Sequence, residues 1–345
     1  MAAALAAALL SSCGDEKPKE PPPTYGQEPG VESGAQALVS FLEEVKRDFA
    51  EDVSSIGADG WLGELARTGA LEAHRELLLE KAETNRLDVL CVLSADGQTT
   101  LIRATNPMEE GGTELWDTTG QCEAGICVDM RALITRALTQ DETITAFELY
   151  PEELMKLEAL TEPRRDFLLS AQDGPDTDQP IGRTLADAAA VRRTNPRPGQ
   201  APMETRGLVL LDVRPMHAVD GEIEGVLVCA WLLSRNHRLL DAFHQQAFMD
   251  SSLFVETTRV ATTTVLKDLT VPVGDQVPSD LYDEVVVSGE AYFSRVNFGY
   301  GLLDAKCTSI VDGTGRTIGF SMVEQAADPG APPAAPPPEV GGEEE

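Results

Sequence analysis

The residues able to do chemistry in this chain are four histidines, six cysteines and an excess of 58 Asp+Glu over 27 Lys+Arg. His74, His217, His237 and His244 form no His-Glu-x-x-His pair, and the sequence has neither a Gly-x-Ser-x-Gly elbow nor a Gly-rich phosphate loop. His237 and His244 could share one face of a helix, but no third ligand stands near them. With carboxylates so abundant, choosing two as acid and base is arbitrary. No catalytic pattern emerges, and no cofactor or metal is expected. Cys122 and Cys127, in Gln-Cys-Glu-Ala-Gly-Ile-Cys, can close a short loop by a disulfide outside the cytoplasm. Zinc is the competing use of that pair, but it needs two further ligands at suitable spacing and none is nearby. Cys91, Cys229 and Cys307 lie within or beside apolar, strand-like runs and read as buried thiols. The formal net charge of −31 is only partly carried by the two ends. It disfavours nucleic acid and anionic lipid as partners, because both require clustered cations.

The ends carry chemistry of another kind. Met1–Ser12 is apolar and Ala-rich and runs into Leu10-Ser11-Ser12-Cys13. A short apolar segment followed by small residues and Cys is the lipobox pattern of bacterial lipoproteins. The small residues suit the signal peptidase, and the Cys13 thiol takes the diacylglyceryl group. No Lys or Arg precedes the apolar run, which departs from an ordinary signal peptide. Residues 1–13 are thus expected as signal peptide, 14–35 as a Pro-rich tether and 327–345 as a disordered, acidic, Pro-rich tail. The longest other apolar run, Gly225–Leu233, falls far short of the roughly 20 residues that span a bilayer and reads as a buried strand. The expected location is the bacterial cell envelope, lipid-anchored, facing the periplasm or the extracellular space.

Between these ends, Leu38, Phe41, Leu42, Val45, Phe49, Val53 and Ile56 recur at helical spacing, and a second helical pattern covers 65–84. Gly57, Gly60 and Gly63 lie between them. Residues 36–85 therefore form either one rod of roughly 75 Å or two broken helices. From Leu87 the pattern changes to strands separated by Asp-Gly turns at Asp96-Gly97, Asp220-Gly221 and Asp312-Gly313. Leu101-Ile102-Arg103-Ala104-Thr105 is similar to Thr258-Arg259-Val260-Ala261-Thr262, each at the end of a first hairpin. The repetition predicts two related units at 86–235 and 250–326, joined by a helix within 236–249.

Several stretches resemble the double Cache sensor domains of bacterial receptors. Arg131–Leu138 followed by Ala146–Tyr150 resembles the helix and strand of a first Cache unit, and Gly207–Met216 with Gly221 and Gly225–Val228 resembles its closing hairpin. Ser252–Thr262 resembles the strand pair opening a second unit, where an Arg and a following Ala-Thr are typical, and Val285–Tyr292 resembles the later helix and turn. The resemblance covers about 36–326. It implies an α+β fold: a long N-terminal helix followed by two PAS-like antiparallel-sheet units, each with helices and loops over one face. It also implies a sensor and not an enzyme, with a small molecule such as an organic acid or amino acid held over the first sheet. Here the chain departs from the pattern of a receptor, having no output domain, so a separate membrane receptor or kinase is the implied partner. The frequent amine-reading pattern is missing, and the second unit is short between Thr264 and Leu281. The alternatives are a solute-binding lipoprotein and a structural lipoprotein with degenerate pockets.

A pocket over a sheet needs a few polar groups on apolar walls. The candidates in the first unit are Arg103, Trp116, Tyr150, Arg206, Asp212 and Arg214. Arg103 and Arg214 are expected at strand ends, where a guanidinium can pair bidentately with a carboxylate. Arg259 fits the structural Arg of a second Cache unit.

Overall fold

Val31–Gly57 forms one uninterrupted helix, α1, of about 40 Å. The computed structural model describes residues 30–57, 60–85, 87–105, 116–117, 130–150, 206–234, 237–265, 272–277, 279–297 and 302–326. The start of α1 lies inside the stretch expected as tether, and tertiary packing accounts for the difference. Val31 and Ala35 are buried, and Gly34 sits so close to Met249 that a Cβ there would fall 2.2 Å from its sulfur. A short helix α2 (Trp61–Thr68) follows, with left-handed glycines at both ends, Gly60 (φ 68°) and Gly69 (φ 67°). Then come a 3-10 turn at Glu72–His74 and α3 (Arg75–Thr84). The N-terminal segment is therefore broken, not a single rod.

The first unit comprises β1 (Val89–Ser94), β2 (Thr100–Thr105), β3 (Trp116–Asp117), α4 (Arg131–Gln140), β4 (Ile144–Tyr150), β5 (Gly207–His217) and β6 (Ile223–Leu232). After α5 (His237–Ala247), the second unit comprises β7 (Asp250–Val255), β8 (Thr258–Thr262), α6 (Ser279–Ser288), β9 (Glu290–Asn297), β10 (Leu302–Val311) and β11 (Thr317–Ala326). Strand order is β3-β2-β1-β6-β5-β4 in the first sheet and β8-β7-β11-β10-β9 in the second. With β3 set aside as an extra edge strand, both sheets run second, first, fifth, fourth, third. Every pairing within them is antiparallel. The fold is thus a long helix and two PAS-like α+β units.

Both sheets turn one face toward α1. The helix buries Leu38, Phe41, Leu42, Val45, Phe49, Val53 and Ile56 in a single cluster with Leu90, Val92, Leu210, Leu227 and Cys229 of the first sheet and Leu253, Val255 and Val323 of the second. This is the inner face. The outer face of the first sheet (Val89, Cys91, Val213, Val228, Leu232) packs under Leu133, Ile134 and Ala137 of α4. The outer face of the second (Phe254, Cys307, Phe320, Met322) packs under Leu281 and Val285 of α6. A strand buried on both faces shows no alternation in its sequence. That is why Leu208–Val213 is almost continuously apolar.

The units also touch directly. The Asp312-Gly313 turn between β10 and β11 lies against the edge strand β4, where Phe147 and Asp312 form a parallel bridge. Glu148 accepts the Gly313 N–H at 2.8 Å, and Arg136 of α4 donates to the Gly313 carbonyl at 2.9 Å.

Candidate functional site

Arg103 is the fourth residue of β2 and stands opposite Cys91. It is well inside the strand, not at its end, and its side chain is 1% exposed. Because Cys91 belongs to the outer-face cluster, so does Arg103, whose Nη1 lies 3.8 Å from the Cys91 sulfur. An arginine presents a planar fork of N–H donors whose geometry matches a carboxylate.

Arg259 is its counterpart in the second sheet. The pairs Thr105↔Val89 and Arg103↔Cys91 of the first hairpin correspond to Thr262↔Ser252 and Arg259↔Phe254 of the second. In sequence the two arginines are out of step by one. A β-bulge at Val260, between Leu253↔Ala261 and Phe254↔Arg259, absorbs the offset. The two sheets differ at one ladder position near these arginines. Glu324 of β11 pairs with Arg259 at 3.1 and 3.3 Å and is itself 2% exposed. Counting along the ladders, Asp250↔Glu324 lies two residues beyond Ser252↔Met322, and the matching place beyond Val89↔Ala230 is Leu232. The first sheet carries an apolar residue where the second carries its carboxylate.

The remaining candidates whose side chains are described do not gather around Arg103. Tyr150 also lies on the outer face and is 1% exposed, but β4 is at the other edge of the sheet, four strand spacings or about 19 Å from β2. Trp116 pairs with Thr105 in the ladder, and its side chain lies outside the described residues. Asp212 and Arg214 are on the inner face, facing α1. Arg214 is the eighth residue of β5 and is again not at a strand end. It grips Asp212 at 2.7 and 2.9 Å and donates to the Ala50 carbonyl of α1 at 2.9 Å, while Thr145 donates to Asp212 at 2.8 Å. This network fastens the helix to the sheet. Arg206 makes an exposed ion pair with Glu256 in the β7–β8 turn, linking the two units. Among the candidates whose side chains are described, Asp212 and Arg214 are in direct contact. Cys13, Cys122 and Cys127 lie outside the described residues.

The outer face of the second sheet is filled by its own side chains. Phe254 and Phe320 stack at 4.3 Å with their planes 10° apart, and the Arg259 guanidinium sits 5.2 Å above the Phe254 ring. Thr264 donates its hydroxyl to Glu324. Asp250 stands opposite Glu324, its carboxyl pushed above the usual range chiefly by burial, with His244 at 3.4 Å drawing it back. Glu324, Thr264 and Glu148 have roles the sequence reading missed. The signal for the two acids was a single carboxylate in an otherwise apolar strand, Phe147-Glu148-Leu149 and Met322-Val323-Glu324.

Cys91, Cys229 and Cys307 are buried thiols. Burial pushes the Cys229 thiol far up, the Asp212 charge adding to it, and burial likewise raises Cys307. Among the described residues no group of His, Cys, Asp and Glu could hold a metal ion, and no helix is long and apolar enough to cross a membrane.

Two sheets that share one order over five strands, each with one face against a shared N-terminal helix and the other under its own helix, define a fold of two PAS-like units. Residues 232–331 match the family model for single Cache domain 3, which makes the second unit a Cache-type domain and the two-sheet chain consistent with a double Cache. No curated protein matches the chain at the sequence level. Among solved structures it is similar to the periplasmic domain of Vibrio cholerae LuxQ, with 12% identity over 86% of this chain and 99% of that one at a TM-score of 0.42. It is also similar to the sensory domain of the Campylobacter jejuni chemoreceptor Tlp3, with 11% identity over 86% and 93% at a TM-score of 0.47. A domain of a putative sensory box/GGDEF family protein from Vibrio parahaemolyticus gives 11% identity over 86% and 97% at 0.43.

Proposed function

We propose that the chain is an extracytoplasmic, lipid-anchored sensor whose first unit binds a small carboxylate-bearing molecule, such as an organic acid or amino acid, and signals through a separate membrane receptor or kinase. The observation that carries this reading is the buried Arg103 guanidinium on the α4-covered face of the first sheet. Tyr150 contributes to the wall of that face, and Trp116 is adjacent in the ladder. Asp212 and Arg214 lie behind the sheet and couple it to α1. A ligand that shifts the sheet can therefore displace the helix through the Arg214–Ala50 contact. Cys13 would take the lipid, residues 14–30 would be the spacer to the folded body, and a Cys122–Cys127 disulfide would close its loop outside the cytoplasm.

The test is a thermal-shift screen of the purified chain against organic acids, amino acids, amines and nucleobases. A molecule that binds only the native state raises apparent stability by about 2.7 kcal/mol at 100 times its Kd. A carboxylate hit that disappears in Arg103→Ala supports the reading. A folded protein indifferent to every class would transfer it to the structural alternative, which the self-packed Phe254–Phe320 face already favours for the second unit. For the anchor, Cys13→Ser should move the protein from the membrane to the soluble fraction.

A further inference from the structure

The second sheet carries a complete carboxylate receptor. The Arg259 guanidinium presents Nη1 and Nη2 to the two oxygens of Glu324, at 3.3 and 3.1 Å. Thr264 adds a hydroxyl donor to Oε1. The Phe254 ring beneath the guanidinium fixes its plane, and the Ser252–Thr262 hydroxyl pair at 2.8 Å lies beside it, with Thr262 Oγ1 also accepting the Thr264 N–H at 3.0 Å. A fork of two guanidinium donors with a third from a hydroxyl is how proteins hold the carboxylate of a bound molecule. Here the carboxylate arrives from β11, reaching across β7 to an arginine on β8. In the first sheet the corresponding arginine, Arg103, has Leu232 at the place of Glu324.

We propose that Arg259, Thr264 and the Phe254 ring form a carboxylate-binding site that the protein fills with its own Glu324, so that the second unit is permanently self-liganded and small carboxylates do not reach it. The acid acts as a built-in ligand. It is two-sidedly anchored, 2% exposed, and held to the site by the fold itself, so its binding is intramolecular. It follows that a carboxylate response of the intact protein originates in the first unit, a corollary that rests on the function proposed above. The self-liganded site itself does not depend on it.

Chemical rescue tests the site. Glu324→Ala leaves Arg259 buried beside a cavity the size of a small acid, and the melting temperature of the full chain should fall by about 10 °C. Sodium formate or acetate should then raise it by several degrees in a saturable manner, beyond the effect of sodium chloride at equal ionic strength and beyond the effect on the unaltered protein. Arg259→Met/Glu324→Ala should show no rescue, and Arg103→Ala/Glu324→Ala should retain it. If Glu324→Ala does not fold in chloride, the yield of folded protein on refolding in acetate against chloride is the readout, with recovery in acetate alone as the supporting result. Equal behaviour in acetate and chloride overturns the proposal. So does rescue that survives loss of Arg259, or rescue that is lost with Arg103, which would place the carboxylate effect in the first unit.

Discussion

Arg103 and Arg259 occupy one register position in two sheets, although their sequence contexts place them a residue apart. The β-bulge at Val260 turns the second arginine onto the same outer face as the first. Had the ladder run regularly, Arg259 would have pointed to the opposite side, because a one-residue slip reverses every side chain beyond it. The two units thus keep one buried cation in a common place. They differ in the residue two strands away, Glu324 in one and Leu232 in the other.

Arg103 and Arg214 should separate cleanly by mutation. Arg103→Ala is expected to abolish the carboxylate-dependent thermal shift. Arg214→Met removes the ion-pair partner of the fully buried Asp212 and the tie to Ala50, so it should cost about 3 kcal/mol of stability while the ligand-induced shift persists. Urea unfolding of both variants, with and without the screened ligand, gives the comparison. Loss of the ligand shift in Arg214→Met alone would relocate the site to the inner face.

Gly63 packs α2 onto the end of β5. A Cβ there would sit 2.1 Å from the His217 carbonyl oxygen and 2.3 Å from its carbon, both backbone atoms that cannot swing aside. Gly63→Ala should therefore destabilise the protein by about 1–3 kcal/mol. Gly69→Ala at the other end meets no neighbour, and only the strain of its positive φ remains, giving a smaller loss. Chemical denaturation of the two variants side by side checks the order.

Glu148 gives the contact between the units a pH dependence. Burial raises its pKa, the Gly313 N–H opposes this, and the Asp312 charge adds to it, with Arg316 lowering it. A carboxyl whose folded pKa is raised favours folding when protonated. Its contribution is fully present below the ordinary glutamate value of about 4.3 and is lost as pH rises through the raised value. Glu148→Gln, permanently neutral and still able to accept from Gly313, should gain stability relative to the unaltered protein at pH 7, and the gain should shrink on acidification through that window. Melting temperatures of the two proteins from pH 7 to pH 4 measure it, and a difference independent of pH would refute the assignment.

Cys91, Cys229 and Cys307 should resist a thiol reagent in the native protein, since burial both shields the sulfurs and suppresses the thiolates of Cys229 and Cys307. Mass spectrometry after labelling with and without denaturant should find these three modified only once the protein unfolds.

The local part of this architecture was legible in the sequence. The α1 stripe from Leu38 to Ile56, the Asp-Gly turns and the repeated strand pairs are set by spacings of a few residues, where helical period and turn chemistry speak directly. The doubled unit followed from their recurrence. Three things required the tertiary structure. The start of α1 at Val31 depends on Met249 and Val323, which approach Gly34 from far along the chain. The faces of Arg103 and Arg214 depend on register, because strands apolar on both sides carry no alternation from which to read it. The partner of Arg259 depends on β11 lying one strand beyond β7, a nonlocal pairing that brings Glu324 across 65 residues of sequence. Spacing along the chain determined the elements and their repetition. Which charges meet, and on which side of the sheet, was decided only when the strands paired.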